Sequence, residues 1–398
     1  MFGVLSTLLT FELISFGGVL PHTWLAVEIG WILASAFLLT VRFARRKSLD
    51  IALAGFVAVS GLIALFAEAK LGAGLMAAGW SYLAARNGQT KTRRFFLFLV
   101  WVGVLEAFLG FFQYFLAPGW IFGYKNIFYK TSGTLINRNH FAGLLEMLVP
   151  VALGFAYSAA RRFEGFARVY SYLLAGAFIG LALLLSTSRM GIFCFFATVA
   201  FVATLLQFGE SRGRTAIALG FGMLGLVLAG ALWIGTYDIV QRFSQLARED
   251  ALLQEGRLPI YRDALQMIAA NPSGVGTGNF QYRFRQYQTF HPDWFFDHAH
   301  NDYLETAAEW GLPVAAAFWS FLIFVVIRGV RLFASTESAE QRGILLTCTG
   351  AIFSILLHSL TDFNLQIPSN AMLFFTFVGI SLALPLKERA GNYAESAK

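Results

Sequence analysis

The sequence predicts an all-α polytopic membrane protein with about twelve transmembrane helices and one large periplasmic loop. Hydrophobic residues make up 57% of its 398 residues and charged residues only 13%, which is too apolar a composition for a soluble protein of this length. The apolar residues also form uninterrupted runs of about 17 to 25 residues, and about 20 helical residues cross the hydrocarbon layer of a bilayer. Lys and Arg, finally, are concentrated in alternate gaps between these runs.

The run lengths define the predicted spans and three regions of one membrane domain. Residues 1–235 carry the first nine helices, residues 236–302 form a periplasmic loop or lid, and residues 303–398 carry the last three helices and a cytoplasmic tail. The spans are predicted near residues 4–20, 23–41, 51–69, 71–85, 95–117, 140–160, 170–187, 190–207, 215–235, 303–328, 343–361 and 370–386.

The positive charges predict the orientation of the chain. Nineteen of the 30 Lys and Arg residues lie in every second gap or in the C-terminal tail. The positive-inside rule makes that side cytoplasmic, with both termini on it. An N-terminus without a basic segment or a small-residue cleavage site predicts no cleaved signal peptide. The concentration of Lys and Arg on the cytoplasmic side therefore accounts for the net charge of +7, and no nucleic-acid partner is expected.

Few polar or reactive groups lie inside the predicted spans. Cys194 and Cys348 fall within spans, and we interpret both as small buried hydrophobic residues rather than as a disulfide or metal ligands. Glu106 lies in the middle of the fifth span and requires a polar partner there, either as part of a structural pair or in a functional role.

The densest group of titratable residues precedes the tenth span, in "FFDHAHNDYLETAAEWGLP" (295–313). Asn301, Glu305 and Glu309 are spaced i, i+4, i+8 and would form one polar stripe on a helix, with His300 beside it. His298 and Asp302 form a second i, i+4 pair. The stripe and His300 are candidates for acid–base chemistry at the membrane surface, or equally for a cluster that caps the helix.

Arginines on the predicted outer side indicate an anionic substrate. Arg189 lies between two spans in "STSRMG", where a charge is costly unless it serves a substrate or reaches the headgroups. Forked, permanently charged guanidinium groups suit phosphates, so the sequence favours a diphosphate-bearing lipid. A zinc site is not expected, because His298-x-His300 has no second ligand pair. Other arginines on the predicted outer side that suit this role are Arg257, Arg262, Arg283 and Arg285.

Five stretches resemble the O-antigen ligase/polymerase superfamily, bacterial membrane glycosyltransferases of the GT-C-like type that use polyprenyl-diphosphate-linked glycans. Together they extend over roughly residues 130–385. The stretch "HNDYLETAAEWGLP" resembles the ligase pattern of His-Asn followed by Gly-x-x-Gly, through His300, Asn301 and Gly311, but Val314 stands at the closing glycine. The other four are "SGTLINRNHFAGLLEMLVP" (132–150), "STSRMG" (186–191), "GRLPIYRDALQMIAANPSGVGTGNF" (256–280) and "HSLTDFNLQIP" (358–368).

The resemblance implies an enzyme of the bacterial inner membrane with a periplasmic site that needs no metal or cofactor. Arg189 and Arg257 would bind the diphosphate, and His300 would activate or orient the acceptor hydroxyl. Asn137 and Asn139 match the family's N-x-N segment and would contact substrate. The donor would be an undecaprenyl-diphosphate-linked glycan, and the acceptor lipid A–core for a ligase or a growing glycan for a polymerase.

A lipid-linked glycan transporter or flippase is the alternative from another functional class. Such a protein would carry charges deep in several spans and broken helices near the bilayer midplane. Most of the charge in this sequence lies outside the predicted spans, which favours the enzyme.

Overall fold

A computed structural model describes residues 2–18, 69–86, 89–208, 257–291 and 293–385, with isolated helical positions between 23 and 34 and between 222 and 244. The predicted spans at 23–41, 51–69 and 215–235 lie largely outside these residues. The regular secondary structure within them is helical, apart from one short antiparallel hairpin, β1 (Trp120–Ile121) and β2 (Tyr124–Lys125); two 3-10 turns are also present, Phe16–Gly18 and Asn364–Gln366. The described helices are α1 (Phe2–Ile14), α2 (Ala69–Arg86), α3 (Gln89–Phe115), α4 (Arg138–Arg161), α5 (Phe166–Leu185), α6 (Arg189–Phe208), α7 (Arg257–Ala270), α8 (Phe280–Phe284), α9 (Asp302–Trp310), α10 (Leu312–Ser335), α11 (Ala339–His358) and α12 (Pro368–Ala383).

Six of the described helices are long and apolar enough to cross a membrane: α3, α4, α5, α6, α10 and α11. Two more, α1 and α12, are apolar but shorter. The chain is therefore an all-α, multi-pass membrane protein. The total of about twelve spans and the periplasmic position of residues 236–302 stay predictions.

Helix α4 forms the centre of the bundle, with α3, α5, α6 and α11 packed around it. Small residues allow the antiparallel helices α4 and α11 to approach closely. A Cβ atom added to Gly343 would lie 2.0 Å from Ser158 Oγ and 2.7 Å from the carbonyl oxygen of Gly154. Such contacts between small residues are typical of helix packing in membranes, where dispersion rather than water exclusion drives association.

The alternating directions of the helices give the bundle two chemically different ends. Glu164, between α4 and α5, pairs with Arg93, Arg162 and Arg168, and Arg162 also approaches Glu340. The sequence predicts that this end faces the cytoplasm. At the other end lie the first turns of α4, α6, α10 and α12 and the last turns of α3, α5 and α11, and we call it the site end.

The predicted span 303–328 is not one helix. The chain breaks at Gly311, which adopts φ +83, so that α9 ends at Trp310 and α10 begins at Leu312 with a proline in its first turn. The glycine-rich turn at 272–276 packs against this break: the N–H of Leu312 donates to Pro272, and the N–H of Gly276 donates to Glu309. Continuous hydrophobicity hides the break, because both α9 and α10 carry apolar faces.

Candidate active site

Asp362 is the centre of a buried polar cluster at the site end. It lies in the link between α11 and α12, and its side chain is only 1% exposed. His140 Nε2, from the first turn of α4, lies 3.7 Å from Asp362 Oδ1, and so does His300 Nδ1, from just before α9. Arg257 Nη2, at the start of α7, lies 3.7 Å from Asp362 Oδ2. We call these four residues the Asp362 cluster.

The backbone around His300 is held in an uncommon conformation. His300 has φ +50, a left-handed backbone conformation that residues other than glycine seldom adopt. This conformation costs of order 1–3 kcal/mol and persists only where neighbouring contacts hold the residue in place. Two contacts do so: the Tyr261 hydroxyl donates to the His300 carbonyl at 2.8 Å, and Asn301 Nδ2 donates to the Leu360 carbonyl at 2.9 Å. The strained residue is thereby fixed to both α7 and the α11–α12 link.

One aromatic ring, Phe363, contacts three imidazoles. His298 stacks on it with ring centroids 4.1 Å apart, and His140 and His300 meet its edge or face at 4.7 and 4.9 Å. His298 Nδ1 lies 2.7 Å from Glu305 Oε1, and the Ala299 N–H donates to the other Glu305 oxygen at 2.8 Å. The predicted pairing of His298 with Asp302 is therefore wrong, because residues 298–301 precede the helix and the i, i+4 spacing does not apply to them.

Asp302 instead connects the start of α9 to the α11–α12 link. Ser359 Oγ donates to its carboxyl group at 2.7 Å, and its own N–H donates to the Ser359 carbonyl at 3.0 Å. Burial raises the pKa of Asp302 to about 8, and the neighbouring Glu305 adds to the rise. The carboxyl group is therefore largely protonated at neutral pH and acts as a neutral hydrogen-bonding group.

Asp362 is ionised, in contrast to Asp302. Burial by itself raises the pKa of Asp362, but its interactions with His140 and His300 outweigh that effect and hold the pKa well below its usual range. Because all three contacts of the cluster are 3.7 Å long, they are longer than hydrogen bonds. Among the described residues, His140 Nε2, His300 Nδ1 and Asp362 Oδ2 have no hydrogen-bond partner. In catalytic sites, contacts of this length between polar groups often shorten to hydrogen bonds when substrate binds.

The predicted polar stripe is buried within the protein. Asn301 caps α9 by accepting from the Leu304 N–H at 3.0 Å, so it precedes the helix rather than lying on it. Glu305 accepts from Ala299, as above, and Glu309 Oε1 accepts from the Phe280 N–H at 3.0 Å. Each of the three side chains thus accepts a hydrogen bond from a backbone N–H of the protein. That these residues contact the substrate stays a prediction.

The remaining predicted site residues lie outside the Asp362 cluster. Arg189 begins α6 and is half-buried, and the start of α6 packs on α4, where Gly191 meets Ala142. Asn137 caps α4 by accepting from the Asn139 N–H at 2.8 Å. Three arginines are exposed, and none forms an ion pair with the Asp362 cluster within the described part of the chain: Arg262, Arg283 and Arg285.

A second polar group lies beneath the cluster. His358 Nδ1, at the end of α11, lies 2.9 Å from Glu146 Oε1 on α4, and both side chains are fully buried. Cys194 on α6 completes a set whose ligand-type atoms all lie within 4.8 Å of one another, so these are the described residues most able to hold a metal ion. The hydrogen bond between Glu146 and His358 is an alternative reason for these two side chains to lie together, because buried polar groups need a partner whether or not a metal ion binds.

Four members of these two groups are missing from the sequence prediction: His140, Glu146, His358 and Asp362. All lie in stretches that resemble the superfamily, at 132–150 and 358–368. A usable signal was present, because a carboxylate such as Glu146 within an apolar run needs a buried partner. The sequence does not show which histidine provides it, since Glu146 and His358 are 212 positions apart.

Residues 174–319 match the family model described as O-antigen ligase. The matched segment contains Arg189, Arg257 and His300, whereas His140 and Asp362 lie outside it. No curated protein matches the chain. The match supports the assignment of this multi-pass membrane protein to the O-antigen ligase/polymerase superfamily, and with it a function of that ligase or polymerase type.

Proposed function

We propose that the chain transfers a glycan from undecaprenyl diphosphate to a sugar hydroxyl of lipid A–core, at the periplasmic face of the bacterial inner membrane. One observation carries this proposal: Arg257 and His300, predicted separately as the phosphate-binding and proton-accepting residues, both contact buried Asp362. A cation for the leaving group and an imidazole for the acceptor are then available within one site.

The reaction forms a bond between the acceptor oxygen and the anomeric carbon and breaks the bond from that carbon to the diphosphate. Arg257, together with Arg189, matches the charge that develops on the leaving diphosphate. His300 accepts the proton of the attacking hydroxyl. Asp362 is a positioning residue, because its carboxylate faces His300 Nδ1 and favours the orientation in which the other ring nitrogen, Nε2, is directed towards the acceptor.

His300 has a second possible role, in which it holds the acceptor hydroxyl without taking its proton. The left-handed backbone of His300, fixed by Tyr261, supports either role, since both need a defined ring position. Substitution by glutamine separates the two, because glutamine keeps hydrogen-bonding capacity and lacks basicity.

A polymerase of the same superfamily is the second candidate function, and Val314 at the closing position of the Gly-x-x-Gly pattern favours it. The donor and the bond chemistry are the same, and only the acceptor differs. Reconstitution of the purified protein with a lipid-linked glycan, offering lipid A–core and a second lipid-linked glycan as competing acceptors, distinguishes them. The ligase proposal predicts product on lipid A–core, whereas elongated lipid-linked glycan would establish the polymerase instead.

Transfer of this type needs no metal at the reacting bond, because arginines match the charge of the leaving group. The same reconstitution in the presence of EDTA tests this point, and we expect transfer to continue. A strict requirement for an added divalent ion would contradict the mechanism and direct attention to Glu146, Cys194 and His358.

A further inference from the structure

The segment between α3 and α4, residues 116–130, exposes an unusual amount of apolar surface. Leu116, Phe122, Ile127 and Phe128 are 76%, 63%, 78% and 76% exposed. Trp120 and Tyr124 add further exposed ring surface on the two strands of the hairpin. Contiguous apolar surface of this kind is rare on protein exposed to water and marks a surface that contacts something else. We call residues 116–130 the aromatic loop.

Buried polar side chains of α3 hold the base of the aromatic loop in place. Gln113 Nε2 donates to the carbonyls of Trp120 and Gly133, at 2.9 and 2.7 Å, and its Oε1 accepts from the N–H groups of Ser132 and Gly133. Glu106 accepts from both the N–H and the hydroxyl of Thr134, at 3.0 and 2.6 Å. Glu106 therefore has the polar partner that its position inside a span requires.

The loop itself closes on Gly119. Its N–H donates to the Lys130 carbonyl at 2.8 Å, and its carbonyl accepts from the Asn126 N–H at 2.7 Å. Gly119 has φ +76, and a Cβ atom there would lie 2.2 Å from the Asn126 carbonyl oxygen. The apolar side chains thus project from a backbone that is held by its own hydrogen bonds.

The position and charge of the loop indicate which partner it meets. It begins directly after Phe115, the last residue of the span α3, so its first exposed side chain lies at the membrane boundary. Lys125 and Lys130 are exposed on the same loop, among the aromatic residues. Aromatic side chains combined with lysine are typical of the interface between hydrocarbon and lipid phosphates.

We propose that the aromatic loop is a preformed surface that inserts its apolar side chains into the outer leaflet of the bilayer, with its lysines at the lipid phosphates. A shallow cavity of about 490 Å³ along the loop, lined by Leu116, Trp120, Ile127 and Lys130 among others, offers lipid a concave contact. The loop would fix the height of the site end relative to the membrane surface from which a lipid-linked substrate arrives.

Site-directed fluorescence in lipid nanodiscs tests the proposal. The full-length variants Phe122→Cys and Ile127→Cys would each be labelled with an environment-sensitive maleimide dye, in nanodiscs of phosphatidylethanolamine and phosphatidylglycerol. Glu337→Cys, in the polar turn between α10 and α11, is the control at an exposed position. The two native cysteines are buried and should not label, and a Cys194→Ala/Cys348→Ala background verifies this.

We expect lipids with brominated acyl chains to remove most of the emission at positions 122 and 127 and little at 337, and aqueous iodide to do the reverse. Efficient iodide quenching at 122 and 127, without quenching by brominated lipid, would overturn the proposal and mark the loop as a surface for a water-soluble partner such as a glycan. The readout does not depend on glycan transfer, so it stands or fails separately from the proposed function.

Discussion

Arg257 and Arg262 lie on the same helix, α7, but only Arg257 reaches the buried carboxylate of Asp362. Lysine at position 257 would keep the charge and lose the forked donor geometry that binds phosphate oxygens in pairs. We expect Arg257→Lys to lower the transfer rate by on the order of 10²-fold, the usual effect of removing one donor to a developing charge. The rate is measured in reconstituted membranes with lipid-linked glycan.

Arg262→Lys is the matched control, because it makes the same chemical change on the exposed face of α7 and should leave the rate nearly unchanged. Equal transfer rates in the two variants would show that Arg257 does not bind the diphosphate during the reaction and only contacts lipid headgroups. The corresponding Arg189→Lys variant should also lose most of its activity if both guanidinium groups bind one diphosphate.

His300 provides the second test at the residue scale. If His300 is the general base, His300→Gln should lower the transfer rate by about 10² to 10⁴ while binding of the lipid-linked donor persists. Single-turnover measurement with bound donor separates these two quantities. A folded variant that binds donor and transfers glycan at close to the parental rate would exclude His300 as the base.

Asp302 makes stability depend on pH. Its pKa is raised to about 8 in the folded protein, whereas an aspartate in an unfolded chain titrates near 3.9. Between these values the folded state binds more protons than the unfolded state, so the contribution of Asp302 to stability is present at low pH and is lost as the pH rises to about 8. Asp302→Asn, which mimics the protonated carboxyl group, should remove this dependence.

Thermal melting in detergent between pH 5 and pH 8 checks the sign. We expect the parental protein to lose stability relative to Asp302→Asn as the pH increases. Parallel curves for the two proteins would contradict the raised pKa of Asp302, because an aspartate with an ordinary or lowered pKa is ionised in both the folded and the unfolded state throughout this range.

The sequence identified some individual residues of the site and not their partners. Arg257 and His300 were predicted because their stretches resemble the superfamily, and because arginine suits phosphate and histidine suits proton transfer. Asp362 also lies in a stretch that resembles the superfamily, but that stretch does not show which residues its carboxylate contacts. Its role depends on contacts with residues 222, 105 and 62 positions away, and such long-range contacts cannot be read from a single sequence.

At the scale of secondary-structure elements, the break between α9 and α10 positions the site. Gly311 permits the turn, since its φ is +83 and a Cβ atom there would lie 2.6 Å from the Ser273 backbone. We expect Gly311→Ala to destabilise the protein by about 1–3 kcal/mol, through the strained conformation and the clash with Ser273. Thermal stability in detergent is the measurement.

Gly278→Ala is the matched control for Gly311→Ala. Gly278 also has a positive φ, +74, but a Cβ atom there meets nothing within 4 Å. The difference in melting temperature between the two variants therefore reports the clash with Ser273 together with the strain of the Gly311 backbone, whose ψ is 156. If the two alanine variants melt together, an added methyl group at Gly311 costs no more than one at Gly278.

The break could have been recognised from the local sequence. Glycine at a helix end followed by proline two residues later is a regular signal for one helix ending and another beginning. The span at 303–328 was predicted from its hydrophobicity alone. A short buried helix such as α9 also contains apolar residues, so hydrophobicity does not separate it from the membrane span that follows. Helix α4, by contrast, agrees within two residues with the predicted span 140–160, since both of its ends are polar.

At the scale of the whole molecule, the two ends of the bundle should face opposite sides of the membrane. Positive charge predicts that the end with Glu164 and its arginines is cytoplasmic and that the site end is periplasmic. Reporter proteins fused after Phe128 and after Glu164 should therefore be active in the periplasm and in the cytoplasm, respectively. Both reporters active on one side, or the reverse assignment, would contradict the predicted orientation.

Composition and run length predicted the class of the molecule, because the thickness of the bilayer fixes the length of apolar helices. The same criterion does not establish the number of spans. Helix α2 forms where a span was predicted near 71–85, but it is not among the six described helices that meet the length and hydropathy criterion.

The proposed enzyme joins a glycan to an acceptor rather than moving its substrate across the membrane. The direct measurement uses purified full-length protein in liposomes that contain undecaprenyl-diphosphate-linked glycan and lipid A–core, with mass spectrometry of both lipids over time. We expect one glycan joined to lipid A–core for each undecaprenyl diphosphate released, and a large loss of both products in His300→Gln. Lipid-linked glycan and lipid A–core that both keep their masses in the presence of the parental protein would contradict catalysis of glycan transfer.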